Sequence, residues 1–93
     1  MGKFRITLTD QAKKDITKHY KSGNQSTIKK IEKILVELSE HPTTGIGNPE
    51  QLKFELTGLW SRRLNSKDRI IYEILEDIVV VDIISAAGHY SDK

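Results

Sequence analysis

No cysteine occurs among the 93 residues of the chain. That absence removes disulfide scaffolds, thiolate zinc sites and cysteine nucleophiles together, and it is compatible with a reducing cytoplasm. Long apolar runs are missing as well. No segment approaches the ~20 apolar residues that a membrane helix needs, and "MGKFRITLTD" lacks the apolar stretch of a secretory signal. The expectation is a soluble cytoplasmic protein with no membrane partner. Charge of one sign is scarce too: fifteen Lys and Arg against thirteen Asp and Glu give a formal +2, so polyanion binding must come from a local basic cluster. There is no internal repeat and no low-complexity segment. What remains, 37% hydrophobic content in 93 residues, suits one domain spanning 1–93. Its core is modest, which favours a surface site over a deep cavity.

"KFRITL" alternates, with Phe4, Ile6 and Leu8 on one side and Arg5 and Thr7 on the other, as in a half-buried strand. Thr9 or Asp10 then caps a short helix from Gln11 to about Lys21, with Ala12, Ile16 and Tyr20 recurring every four residues, and "SGN" ends it. A second helix is written in "STIKKIEKILVELSEH", where Ile28, Ile31, Leu35 and Leu38 form a stripe and lysines take the other faces. Pro42 forbids its continuation. "PTTGIGNPE" is a loop holding both prolines. Leu52, Phe54 and Leu56 then alternate with Lys53 and Glu55, and "LWSRRLN", "RIIYEIL" and "IVVVDIIS" complete a meander. The expected fold is α+β: an N-terminal strand and two helices packed on one face of a twisted antiparallel sheet.

Hydrophobic matching proposes a register for the hairpin around "SKD": Leu64 opposite Ile70, Arg62 opposite Tyr72 and Trp60 opposite Ile74. These residues face the helices, with Arg62 extending its charge from the buried side and Trp60 acting as a core aromatic. Ser61, Arg63, Arg69, Ile71 and Glu73 take the other face. Arg63 and Arg69 then lie close across the hairpin, either as a solvated pair or as a seat for an anion between them. Past the last strand, "SAAGHY" brings His89 and Tyr90 together. Histidine titrates near neutrality and suits a general acid; the same two rings also suit a plug over the core's open edge. His19 and His41, amid polar neighbours, read as ordinary solvated side chains.

The ordered string "GIGNPEQLKFELTGLWSRRLNSKDRIIYEI", taken with the terminal "HY", resembles the YoeB/Txe toxins of bacterial toxin–antitoxin modules, within the RelE/ParE superfamily. The resemblance implies a RelE-like, microbial-RNase-like fold and an endoribonuclease that cuts mRNA in the ribosomal A site. It implies Glu50 as general base, Arg69 as phosphate stabiliser and His89 as general acid, with Tyr90 supporting the site and Lys53 and Arg63 facing the RNA backbone. Implied partners are a YefM-like antitoxin, the ribosome and its mRNA, and operator DNA reached only through the antitoxin complex, with a homodimer as a further option. Those groups meet the needs of metal-free RNA cleavage by 2′-hydroxyl attack. No cofactor is expected, and no metal, since the chain carries no carboxylate or histidine cluster at metal-binding spacing; chelator-resistant cutting is the expectation.

The chain departs from the family pattern in two places. Ala86, Ala87 and Gly88 stand where relatives often carry a basic residue before the histidine, and Ser91, Asp92 and Lys93 follow the tyrosine. Two other readings therefore stand beside the nuclease: a non-catalytic ParE-like toxin that binds a protein, and an inactive module that binds only its antitoxin.

Overall fold

The computed structural model describes residues 3–88. Strand β1 (Arg5–Leu8) leads into helix α1 (Asp10–Ser22) and helix α2 (Gln25–Glu40). Both helix starts are set by side chains: Thr9 Oγ1 accepts from Ala12 N–H at 3.1 Å, and Asn24 Oδ1 accepts from Thr27 N–H at 3.2 Å. Gly23, at φ 75°, closes α1 in the left-handed region. Then come β2 (Glu50–Gln51), a 3₁₀ turn at Phe54–Leu56, β3 (Leu59–Arg63), β4 (Arg69–Leu75), a second 3₁₀ turn at Glu76–Ile78, and β5 (Val80–Ser85).

The strands form one sheet in the order β1-β5-β4-β3-β2. Four of them pair antiparallel as expected, but β1 runs parallel to β5, with Ile6 beside Val81 and Leu8 beside Ile83, so the sheet is mixed. The core lies between the helices and one sheet face. Ala12, Ile31, Ile34 and Leu38 meet Leu64, Ile70, Tyr72, Val81 and Ile83, and Trp60 packs against them. Burying each large aliphatic contributes about 1.5–3 kcal/mol. Tyr20, expected in the α1 stripe, is 45% exposed and donates its hydroxyl to Glu32 instead.

Three local expectations are corrected. The β3–β4 register is displaced by two residues: Trp60 pairs with Tyr72, Arg62 with Ile70 and Arg63 with Arg69, around a loop of residues 64–68. Asn65 builds that loop, its Oδ1 accepting from the N–H groups of Lys67 and Asp68 at 2.8 Å each. A two-residue displacement keeps every side chain on its expected face, so the facing assignment survives the error. Arg62 does not extend toward water; it is fully buried. And the Leu52–Leu56 alternation does not continue as a strand. Strand β2 ends at Gln51, a last hydrogen bond runs from Leu52 N–H to the Leu59 carbonyl at 2.9 Å, and the chain turns at Phe54, a non-glycine at φ 60° that is 90% exposed.

A bulky aromatic in the left-handed region carries a steric cost of about 1–2 kcal/mol, and this one buries almost nothing in return. Phe54→Gly is therefore expected to stabilise the domain by about 1 kcal/mol, raising Tm by about 4–8 °C in calorimetry. A fall in Tm would show instead that the ring holds the turn together.

Candidate functional site

Cross-strand partners project from the same side of a sheet. Glu50 pairs with Ser61, Ser61 with Ile71, and Arg63 with Arg69, so Glu50, Ser61, Arg63 and Arg69 share the face that the helices leave open. On that face Arg69 Nη1 lies 3.8 Å from Glu50 Oε1 and donates to Ser61 Oγ at 3.5 Å. The Arg69 side chain is 15% exposed and the Glu50 side chain 51%, so the cation is set into the surface while the carboxylate stands at its rim. The arginine pair inferred from the sequence is closer than the expected register implied: Arg63 and Arg69 are direct partners. Like charges placed opposite one another destabilise a sheet, whereas an anion received between them reverses the sign of that term. Lys53 is exposed just beyond β2.

The loop before β2 sets where Glu50 begins. Gly47 accepts the Arg63 N–H on its carbonyl at 2.6 Å, and at φ 83° a β-carbon there would come within 3.0 Å of the Arg63 carbonyl oxygen. Only glycine allows the loop to lie this close to β3 in that conformation.

His89 and Tyr90 lie outside the described residues. The chain leading to them, however, is tied down at several points. Ala86 N–H donates to Asp15 Oδ2 at 2.9 Å, the Ala86 carbonyl accepts from His19 Nε2 at 2.7 Å, and Gly88 N–H donates to Asp68 Oδ1 at 2.8 Å. The Gly88 carbonyl in turn accepts from the backbone N–H of Arg69 at 3.0 Å. Burial alone would raise the Asp68 carboxyl, but the Gly88 N–H, the Asn65 amide and the charges of His19 and Lys67 hold it below its ordinary value. The last described residue is thus hydrogen-bonded to the backbone of the arginine that faces Glu50.

A family model for YoeB-like toxins of bacterial type II toxin–antitoxin systems matches residues 8–90. The chain belongs to this family. Toxin YoeB of Streptomyces coelicolor is 34% identical to it over 87 residues, 94% of this chain and 100% of the relative. Among solved structures, the YoeB dimer from Staphylococcus aureus superposes with a TM-score of 0.78 at 34% identity, covering 95% of this chain and 99% of that one. A YoeB–YefM complex from the same organism gives 0.76 at 35% identity, covering 94% and 98%.

Within this YoeB-family chain, sequence reasoning missed Asp15, His19 and Asp68. Asp15 is only 4% exposed, also accepts from Gln11 Nε2 at 2.8 Å, and stands four residues before His19 beside the apolar stripe of α1. A carboxylate and an imidazole one turn apart on the core-facing side were the available signal. His19, read as solvated, is a tie for the chain end.

Proposed function

We propose that this toxin is a ribosome-dependent endoribonuclease that cuts mRNA in the A site by metal-independent acid–base catalysis in the cytoplasm. The observation that carries the reading is the Glu50–Arg69 pair, a carboxylate and a recessed guanidinium 3.8 Å apart on the open sheet face. Glu50 removes the proton from a ribose 2′-hydroxyl, and that oxygen attacks the adjacent phosphorus. Arg69 donates to the non-bridging oxygens as negative charge accumulates. His89 protonates the departing 5′-oxygen, leaving a 2′,3′-cyclic phosphate, and Tyr90 supports that end of the site. His89 is bonded to Gly88, whose carbonyl takes the Arg69 N–H; this connectivity supports grouping the three residues. Lys53 and Arg63 hold the flanking phosphates. The Staphylococcus aureus YoeB–YefM complex supports a YefM-like antitoxin as the neutralising partner, and the YoeB dimer from that organism supports a homodimer.

Primer extension on a defined message with purified ribosomes tests the reading. The wild type should cut, and Glu50→Ala and His89→Ala should each cut about 10²- to 10⁴-fold more slowly. Equal cutting by all three would exclude acid–base roles for both residues. Absence of cutting by the wild type would favour a toxin that acts by binding a protein.

A further inference from the structure

We infer that Phe54 is a stacking platform for an unpaired base of the RNA, an inference that rests on the nuclease reading above. Three observations converge on this ring. It is 90% exposed, the most exposed of the large apolar side chains described. Its backbone is held at φ 60°, where a bulky residue is a steric outlier, and the turn is fastened by Thr57, whose Oγ1 and N–H both donate to the Phe54 carbonyl at 2.6 and 3.1 Å. Finally, it follows directly on Lys53 and lies four residues past Glu50, within ~14 Å of it along even a fully extended chain.

Strain retained at an exposed position does nothing for the folded state alone. Backbone outliers of this kind persist where the surrounding structure enforces them, and they gather at ligand sites. A ring without apolar cover, set beside Lys53 and on the same connection that carries Glu50, matches what a single strand of nucleic acid requires: cations along its phosphates and an aromatic face for a base. Stacking is tolerant of base identity because every base has a π-face. Phe54 therefore contributes affinity and places the nucleotide next to the cleaved one, while the cations and Glu50 address the backbone.

The test compares wild type, Phe54→Ala, Phe54→Trp and Glu50→Ala for binding to a short 2′-O-methylated single-stranded RNA, which cannot be cut, and to its abasic counterpart with the same phosphates. Wild type should prefer the base-bearing strand by about 5- to 150-fold, corresponding to about 1–3 kcal/mol for one stacked base. Phe54→Ala should lose that preference with unchanged affinity for the abasic strand, Phe54→Trp should keep it, and Glu50→Ala should keep it too. In ribosome assays Phe54→Ala should raise KM more than it lowers kcat. A wild type without base preference, or a Phe54→Ala variant that retains it, overturns the inference. So does a Phe54→Ala variant that loses affinity for a YefM-type antitoxin alone, which would assign the ring to a protein interface. Cutting by wild type with no effect at Phe54 removes the stacking role and leaves the nuclease intact; base-dependent binding through Phe54 without any cutting does the reverse.

Discussion

Arg62→Met is expected to remove about 3–5 kcal/mol of folding free energy, the range found when one partner of a buried ion pair is deleted. Arg62 is fully buried, and its guanidinium reaches five acceptors: Glu37 Oε1 at 2.7 Å, the carbonyls of Thr44, His41 and Ile46 at 2.7, 3.2 and 3.3 Å, and the Tyr72 hydroxyl at 3.2 Å. The Tyr72 hydroxyl in turn donates to the Pro42 carbonyl at 2.8 Å. The residue thus fastens the loop that follows α2 onto the sheet. Methionine keeps the volume but leaves a carboxylate and three carbonyls facing an apolar stem, and each abandoned acceptor carries its desolvation cost. A small domain holds only about 5–15 kcal/mol in total, so the loss is a large share of its stability.

Acid should weaken the same cluster by another route. Burial would push the Glu37 carboxyl up, but the Ile46 N–H and the Arg62 guanidinium, by hydrogen bond and by charge, hold it below its ordinary value. A carboxyl depressed in the folded state adds stability that is fully present above its unfolded pKa, and loses that stability as pH falls through the folded value. Urea midpoints should therefore hold from neutral pH down to ~5 and fall as pH drops through ~4 and below, and Glu37→Gln should flatten that part of the curve at some cost in stability at neutral pH. An Arg62→Met protein within ~1 kcal/mol of wild type at neutral pH, where deletion from a buried pair costs several times more, would show that water replaces the guanidinium at little cost.

The Arg62 cluster also shows what the sequence could and could not disclose. Alternation placed residue 62 on the helix side correctly, because a side chain's face depends only on parity along the strand. Parity could not fix the register. Moving β3 by two residues against β4 keeps the same apolar partners in view, and the choice was made by Asn65 and Asp68 closing a longer loop. Three of the five Arg62 acceptors are backbone carbonyls of residues 41–46; any residue carries such a group, so nothing in the letters marked them. The parallel pairing of β1 with β5 was hidden for a related reason. Ile6 and Leu8 announce a strand, but the identity of the neighbour depends on which sheet edge the helices leave open. Leu52, Phe54 and Leu56 imitate a strand's period, yet the backbone turns at Phe54 and only the first of them stays bonded to β3.

For the candidate site the division is similar. The facing of Ser61, Arg63 and Arg69 followed from periodicity, and the nearness of the two arginines followed from that. Glu50 could be singled out only through motif resemblance, since a glutamate after a proline has no period to belong to. Asp15 and His19, which tie residue 86, lie far along the chain from Asp68, which ties residue 88. Only the folded topology brings them to one place.

On the proposed nuclease mechanism, Arg69→Ala is expected to lower the cleavage rate about 10²- to 10³-fold, the usual cost of removing one preorganised donor to a developing oxyanion. The guanidinium is well placed for that loss to appear in kcat: it is recessed and anchored beside Ser61 and Glu50, so little reorganisation is needed as charge builds on the phosphate. Arg69→Lys should recover only part of the activity, because an ammonium supplies a point charge where a planar fork can contact two phosphate oxygens at once. Folding supplies the control. Arg69 faces Arg63 directly across the ladder, so removing one charge relieves a repulsion and offsets part of whatever contacts the side chain makes. The backbone N–H that holds the Gly88 carbonyl is untouched by the substitution. Thermal unfolding should then move by no more than about 4–8 °C, equivalent to about 1 kcal/mol, while cutting falls by orders of magnitude. If Arg69→Ala cut at the wild-type rate, the guanidinium would have no part in charge stabilisation, and the Glu50–Arg69 pair would be an element of sheet structure alone.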